Sequence, residues 1–123
     1  MSFMPYLKQR SHLENNMDSI TSKARFAVGQ IIHHKLFDYR GVIIDVDASY
    51  QGTDEWYSTM APSRPPKDEP WYHVLVHDAV YRTYVAERNL ELDTTDEPIN
   101  HPEIDYFFDQ YKDGAYTRHA PMN

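Results

Sequence analysis

Apolar and polar residues change their spacing along this chain, and each spacing predicts a different kind of element. From Phe26 the period is two. AVGQIIHHK is carried by β-branched residues, and in YRGVIIDVD Val42, Ile44 and Val46 are expected to share one face. Both runs predict strands, with Gly41 marking a bulge or bend in the second. WYHVLVH and VYRTYVAE predict a third and a fourth strand parted by a turn at Asp78, and NLEL a short fifth. In HPEIDYFFDQYKDG the spacing becomes helical, with Ile104, Phe107, Phe108 and Tyr111 at i, i+3, i+4 and i+7. Pro102 suits a first helical turn, Glu103 and Asp105 suit the positive end of the helix dipole, and Gly114 suits the stop.

The remaining stretches connect these elements. In ASYQGTDEWYSTM, Thr53 followed by acidic residues resembles the start of a short helix. Pro62 to Pro70, PSRPPKDEP, forbids regular structure and predicts an extended loop. Met1 to about Thr21 mixes Asn, Ser, Gln and charge with scattered apolar residues, which reads as a mobile arm or one weak helix outside the core. Four or five short strands in series, without helices regularly between them, predict a mainly β fold. It is a small antiparallel half-open barrel carrying a C-terminal α-helix and a mobile N-terminal arm. The organisation is an arm over residues 1–24, one domain over 25–117 and a tail over 118–123.

Strand parity raises a functional question at WYHVLVH. One face carries Tyr72, Val74 and Val76, and the other Trp71, His73, Leu75 and His77. Neither face is plainly polar. The second is therefore either covered by the terminal helix or offered to a partner.

Composition bounds the rest. The chain has 123 residues, 41% hydrophobic and 14% aromatic, enough for one domain with a modest core. It has no cysteine, hence no disulfide framework and no thiolate site, which fits a reducing cytoplasm. No apolar run nears the ~20 residues of a membrane span, and MSFMPYLKQRSH lacks a signal-peptide core, so a soluble cytoplasmic protein is expected. The net charge of -7 is uneven: Glu87 to Asp113 holds nine acidic residues against Arg88 and Lys112, and the rest of the chain is near neutral. Phosphate binding needs local positive charge, and Lys23, Arg25, Lys35 and Arg40 with His33 and His34 form the cluster that could supply it. An ordinary solvated strand edge is the plainer reading of the same residues.

Catalytic and metal constellations are weak. Asp45 and Asp47 share a strand face at i and i+2, a pairing usually solvated near a strand end. His33 and His34 are adjacent and point to opposite faces, while His73 and His77 lie roughly 13 Å apart on a strand. No nucleophile elbow, phosphate-cradling glycine loop or metalloprotease motif occurs in the sequence. No enzyme, no cofactor and no metal site is expected.

The order FAVGQIIHHKLFDYRGVIIDVD, EWY, RPPKDEPWYHVLV, YVAERNL and HPEIDYFF resembles the HspQ family, also called the hemimethylated-DNA-binding domain family. The resemblance runs from about Arg25 to Tyr116. It implies an SH3-like β-barrel, no catalytic activity, a heat-shock association, binding of hemimethylated duplex DNA and a link to the ATP-dependent Lon protease. It supplies no site residues.

Two functions follow. A DNA binder would place Lys35 and Arg40 on phosphates and an aromatic ring, Trp71 or Tyr84, against the methyl group, with His73 on the face of Trp71. A stress-related adaptor or modulator of an ATP-dependent protease would instead offer an acidic, ring-bearing surface to that protease or its substrates. Neither involves a membrane, and homo-oligomerisation is compatible with both.

Overall fold

The computed structural model describes residues 23–118. The arm expected over residues 1–24, but for its last two residues, and the tail beyond Arg118 lie outside the described residues. The strands are β1 (Ile31–His34), β2 (Arg40–Asp47), β3 (Trp71–Val76), β4 (Arg82–Ala86), β5 (Leu90–Leu92), β6 (Phe108–Lys112) and β7 (Ala115–Arg118). The helices are α1 (Asp54–Met60) and α2 (Ile104–Phe107), and a 3-10 turn, Glu87–Asn89, joins β4 to β5.

Five strands form one antiparallel sheet in the order β4-β3-β2-β1-β5. Among the described residues no ladder joins β4 to β5, so the sheet is open between its two edges. Its inner face packs Ile32, Ile43, Tyr72, Val74, Val85 and Leu90 around Phe26. Buried Glu87 ties this layer together, its Oε2 accepting from the Tyr72 hydroxyl at 2.5 Å and the Arg25 amide at 2.9 Å. Burial, then the bond to Glu87, pushes the Tyr72 hydroxyl far above its ordinary range. No described helix is long and apolar enough to cross a membrane.

The outer face has two covers. Ile31, Val42, Ile44 and Leu75 pack beneath Ile99, Phe108 and Tyr116, while Trp71 and Ala86 pack beneath Tyr57 and Ala61 of α1 and its end. The expected parity of β3 holds, with Tyr72 and Val74 inward and Trp71 and Leu75 outward. Helix α1 starts where expected, the Thr53 hydroxyl accepting from the Trp56 amide at 3.0 Å.

Three expectations need correction. The C-terminal α-helix ends after Phe107, and the residues beyond it form the β6–β7 hairpin, with Tyr111 opposite Tyr116 and Lys112 opposite Ala115. Asp113 and Gly114 both have positive φ, 53° and 80°, the backbone of a two-residue hairpin turn. The helix therefore does not cover the β3 face; the hairpin and α1 do. Within β2, Val42, Ile44 and Val46 do not share a face. The register shifts between Ile43 and Asp45, which leaves Val42 and Ile44 outward but turns Val46 inward beside Ile43. Gly41 is not that bulge. A Cβ there would lie 2.5 Å from Val74 Cγ1 and 2.6 Å from the Leu75 carbonyl oxygen, so the glycine permits close approach of β3.

Candidate functional site

The residues singled out in the sequence fall into two separate places. Trp71 is 1% exposed, donates from Nε1 to the Pro66 carbonyl at 3.0 Å, and packs with Tyr50 and Tyr84 at ring separations of 4.8 and 5.2 Å. It is a core residue that fastens the proline-rich loop. His73 and Tyr84 face each other across β3 and β4, rings 4.5 Å apart, and both bond Asp47 Oδ2, at 3.0 and 2.7 Å. Burial, followed by this carboxylate bond, drives the Tyr84 hydroxyl well above its ordinary value, so it stays a neutral donor. Side-chain atoms of Asp45, Asp47 and His73 lie within 4.8 Å of one another. A cation there would have to displace His73 from Asp47, so the trio reads first as a hydrogen-bonded support for Tyr84.

Arg40 is committed elsewhere. Its Nε and Nη2 bond the two oxygens of Asp93 at 3.1 and 3.2 Å, and Nη2 also donates to the Glu97 carbonyl. Burial raises the Asp93 carboxyl, but the bonds from Arg40 and Thr95 outweigh it and leave the group below its ordinary value. Three of the five guanidinium N–H donors are spent in this way and the side chain is mostly buried, so little of Arg40 is offered to a phosphate. Lys35 is exposed and has no ion pair among the described residues.

Lys35 belongs to a feature that periodicity did not reveal. A groove of about 480 Å³ runs along β4 between the β1–β2 turn and α1. Leu36 and Phe37, 59% and 68% exposed, wall one side; Trp56 and Met60 wall the other. Apolar residues pointing to water in a tight turn are the sequence signal, since KLFD stands where polar turn residues are the rule. The turn is held by buried His34, whose Nδ1 accepts from the Leu36 and Phe37 amides at 3.1 Å each and whose ring stacks on Phe37 at 4.7 Å.

Arg64 and Arg88 join Lys35 on the rim. Arg88 Nη2 donates to the carbonyl of Ser63, a groove residue, and the Lys35 amide bonds the carbonyl of Asn89, another. Arg64 lies over the Tyr57 ring at 6.0 Å. Among the described residues none of these three cations has a carboxylate partner, whereas Arg82 is paired with Glu103 and Lys67 with Asp54. The residues thus brought together are His73 and Tyr84 on the groove's α1 side and Lys35 on its rim. Trp71 lines the groove from beneath, almost fully buried, and Arg40 lies outside it.

An open sheet edge thus lies in an apolar groove beside three cations that have no carboxylate partner among the described residues. The chain belongs to the YccV-like family: the family model described as hemimethylated DNA-binding protein YccV like matches residues 24–115. The match covers most of the chain and agrees with the resemblance carried by VGQ, YRGVI and PWYHVL.

Proposed function

We propose that the protein is a non-enzymatic binding protein for hemimethylated duplex DNA. The observation that carries this reading is membership, over residues 24–115, of a family described by that ligand. The rim of Lys35, Arg64 and Arg88 supports it by supplying cations free to meet phosphates. The contact set is therefore Lys35 with Arg64 and Arg88 in place of Arg40. Phe37 takes the place of Trp71 against the methyl group, beside Tyr84 and its support His73. In the same reading the sheet is an SH3-like barrel left open at β4 and β5, the domain spans residues 25–117, and the protein acts in the cytoplasm under heat stress.

Fluorescence anisotropy with unmethylated, hemimethylated and fully methylated duplexes at two salt concentrations tests it. The hemimethylated duplex should bind tightest, with a logarithmic salt slope of about -2.7 for three phosphate contacts. Reversing Lys35, Arg64 and Arg88 to Glu together should abolish binding. Equal affinity for all three duplexes, or binding that survives the reversal, overturns the proposal.

A second reading, an adaptor for a Lon-type ATP-dependent protease, is favoured by the acid excess of Glu87 to Asp113, which repels duplex and suits a basic protein surface. Faster degradation of a substrate by the purified protease when the full chain is added would support it; an unchanged rate would remove it.

A further inference from the structure

We infer that the free edge of β4 is a docking site for an extended segment of a partner protein, a short apolar run flanked by acidic residues, which adds to the sheet as a sixth strand. The inference does not rest on the DNA reading but takes the same groove, so duplex and peptide would compete for it.

The hydrogen-bond phase of β4 sets the geometry. Val76 N–H bonds the Tyr81 carbonyl at 3.3 Å, and Glu87 N–H bonds the Pro70 carbonyl at 3.0 Å, at the two ends of the β3–β4 ladder. In an antiparallel pair every second residue bonds inward, so Thr83 and Val85 face β3. The N–H and C=O of Arg82 and Tyr84 then point away from the sheet, and no described group bonds them. They form the floor of the groove.

The walls fit the same occupant. Side chains of an added strand alternate between two directions. One set would meet Leu36 and Phe37, and the other Trp56 and Met60. Both walls are apolar, so the central residues of the segment are apolar without alternation. Beyond them stand Lys35, Arg64 and Arg88, which call for acidic flanks.

Other occupants fit less well. Two copies pairing β4 to β4 about a two-fold axis would bring their cationic rims together. A duplex could use the rim and accept from the outward N–H groups, but its phosphates carry no donors and would leave the outward carbonyls of Arg82 and Tyr84 unpaired.

The test uses the full chain and a fluorescein-labelled octapeptide with the core Phe-Val-Leu-Val between two pairs of Glu. Saturable binding is expected, together with slowed hydrogen exchange at the Arg82 and Tyr84 amides. Exchanging the flanking Glu for Lys should weaken binding, and N-methylating the core should weaken it at least about tenfold, since a methylated amide cannot join the ladder. The peptide variants leave the protein untouched, so folding cannot confuse the result. On the protein, Arg82→Pro should lose about tenfold relative to Arg82→Ala, because both remove the side chain and only proline removes the outward N–H. Absence of binding, indifference to N-methylation, or sedimentation showing a dimer that the peptide does not dissociate would each overturn the inference. So would displacement of the peptide by duplex DNA with the Arg82 and Tyr84 amides left unprotected in either complex.

Discussion

The two edges of the five-stranded sheet are finished in different ways. At β5 the strand is only Leu90–Leu92, Glu91 on it is bonded to His33, and Arg40 clasps Asp93 immediately after its end. Short length and charge are the ordinary means of keeping an edge from pairing. At β4 the strand RTYVA holds no proline or lysine, its outward backbone groups are bonded to no described group, and exposed apolar residues stand on both sides. One sheet thus carries a closed edge and an open one. Each edge also has its own cover on the outer face, the hairpin β6–β7 toward β1 and α1 toward β4.

The largest expected effect falls on the open side. Trp71→Ala removes the ring on which α1 and the proline-rich loop rest, and should destabilise the fold by about 3 to 5 kcal/mol in chemical denaturation. Because α1 forms one wall of the groove, peptide binding should fall with it. Phe108→Ala strikes the other cover and should cost about 3 to 4 kcal/mol, yet the folded fraction should still bind the peptide. Equal loss of binding in both variants would erase the distinction between the two covers. Phe107→Ala serves as a control, since Phe107 is half-buried beside Phe108 and should cost clearly less.

That contrast between Phe107 and Phe108 shows what the sequence could tell. Period two located β1 to β4 because each of those strands buries at least one face, whereas β5 buries only Leu90, and Thr53 located α1 because the capping bond is local. Ile104, Phe107, Phe108 and Tyr111 fit a helix equally well, and spacing alone could not choose. The choice lay in Asp113-Gly114, the residue pair of a tight hairpin, and in the Tyr116 amide, which bonds the Gly29 carbonyl at 2.8 Å and so draws β7 to the strand side. Candidate site residues were less legible. Trp71 and Arg40 have the right chemistry for DNA, but whether such groups are free depends on Pro66 and Asp93, far from their strand neighbours. The rim of Lys35, Arg64 and Arg88 comes from three distant segments and has no pattern in the chain.

On the closed side, Arg40→Ala should cost about 2 to 4 kcal/mol, because it leaves the buried carboxylate of Asp93 without its partner. Asp93→Asn keeps an oxygen acceptor and strands only the less buried charge of Arg40, so it should cost less. Binding of the peptide to folded protein should be unchanged in both. Loss of binding on Arg40→Ala would mean that the closed edge supports the open one, and the comparison would fail.

The smallest effect separates two adjacent histidines. His33 belongs to the closed side: Asp38 and Glu91 hold its two ring nitrogens at 2.6 and 2.8 Å, and the bonds to Asp38 and then Glu91 raise its pKa above the usual 6.5. His34 belongs to the groove: burial, followed by the charge of His33, lowers its pKa, and its Nδ1 must stay unprotonated to accept from Leu36 and Phe37. The signs are opposite. The stability from His33 is fully present below 6.5 and is lost as pH rises through its raised folded value. The stability from neutral His34 is present above 6.5 and is lost as pH falls through its lowered folded value. An NMR titration of the two imidazoles should give midpoints on either side of 6.5. Acidification past the His34 midpoint should loosen the turn that carries Leu36 and Phe37 and weaken peptide binding, while His34→Asn, which keeps an acceptor but does not titrate, should remove that loss. His33→Gln should leave it in place. Coincident midpoints, or an acid loss that follows His33, would show that the turn and the β5 edge titrate as one unit.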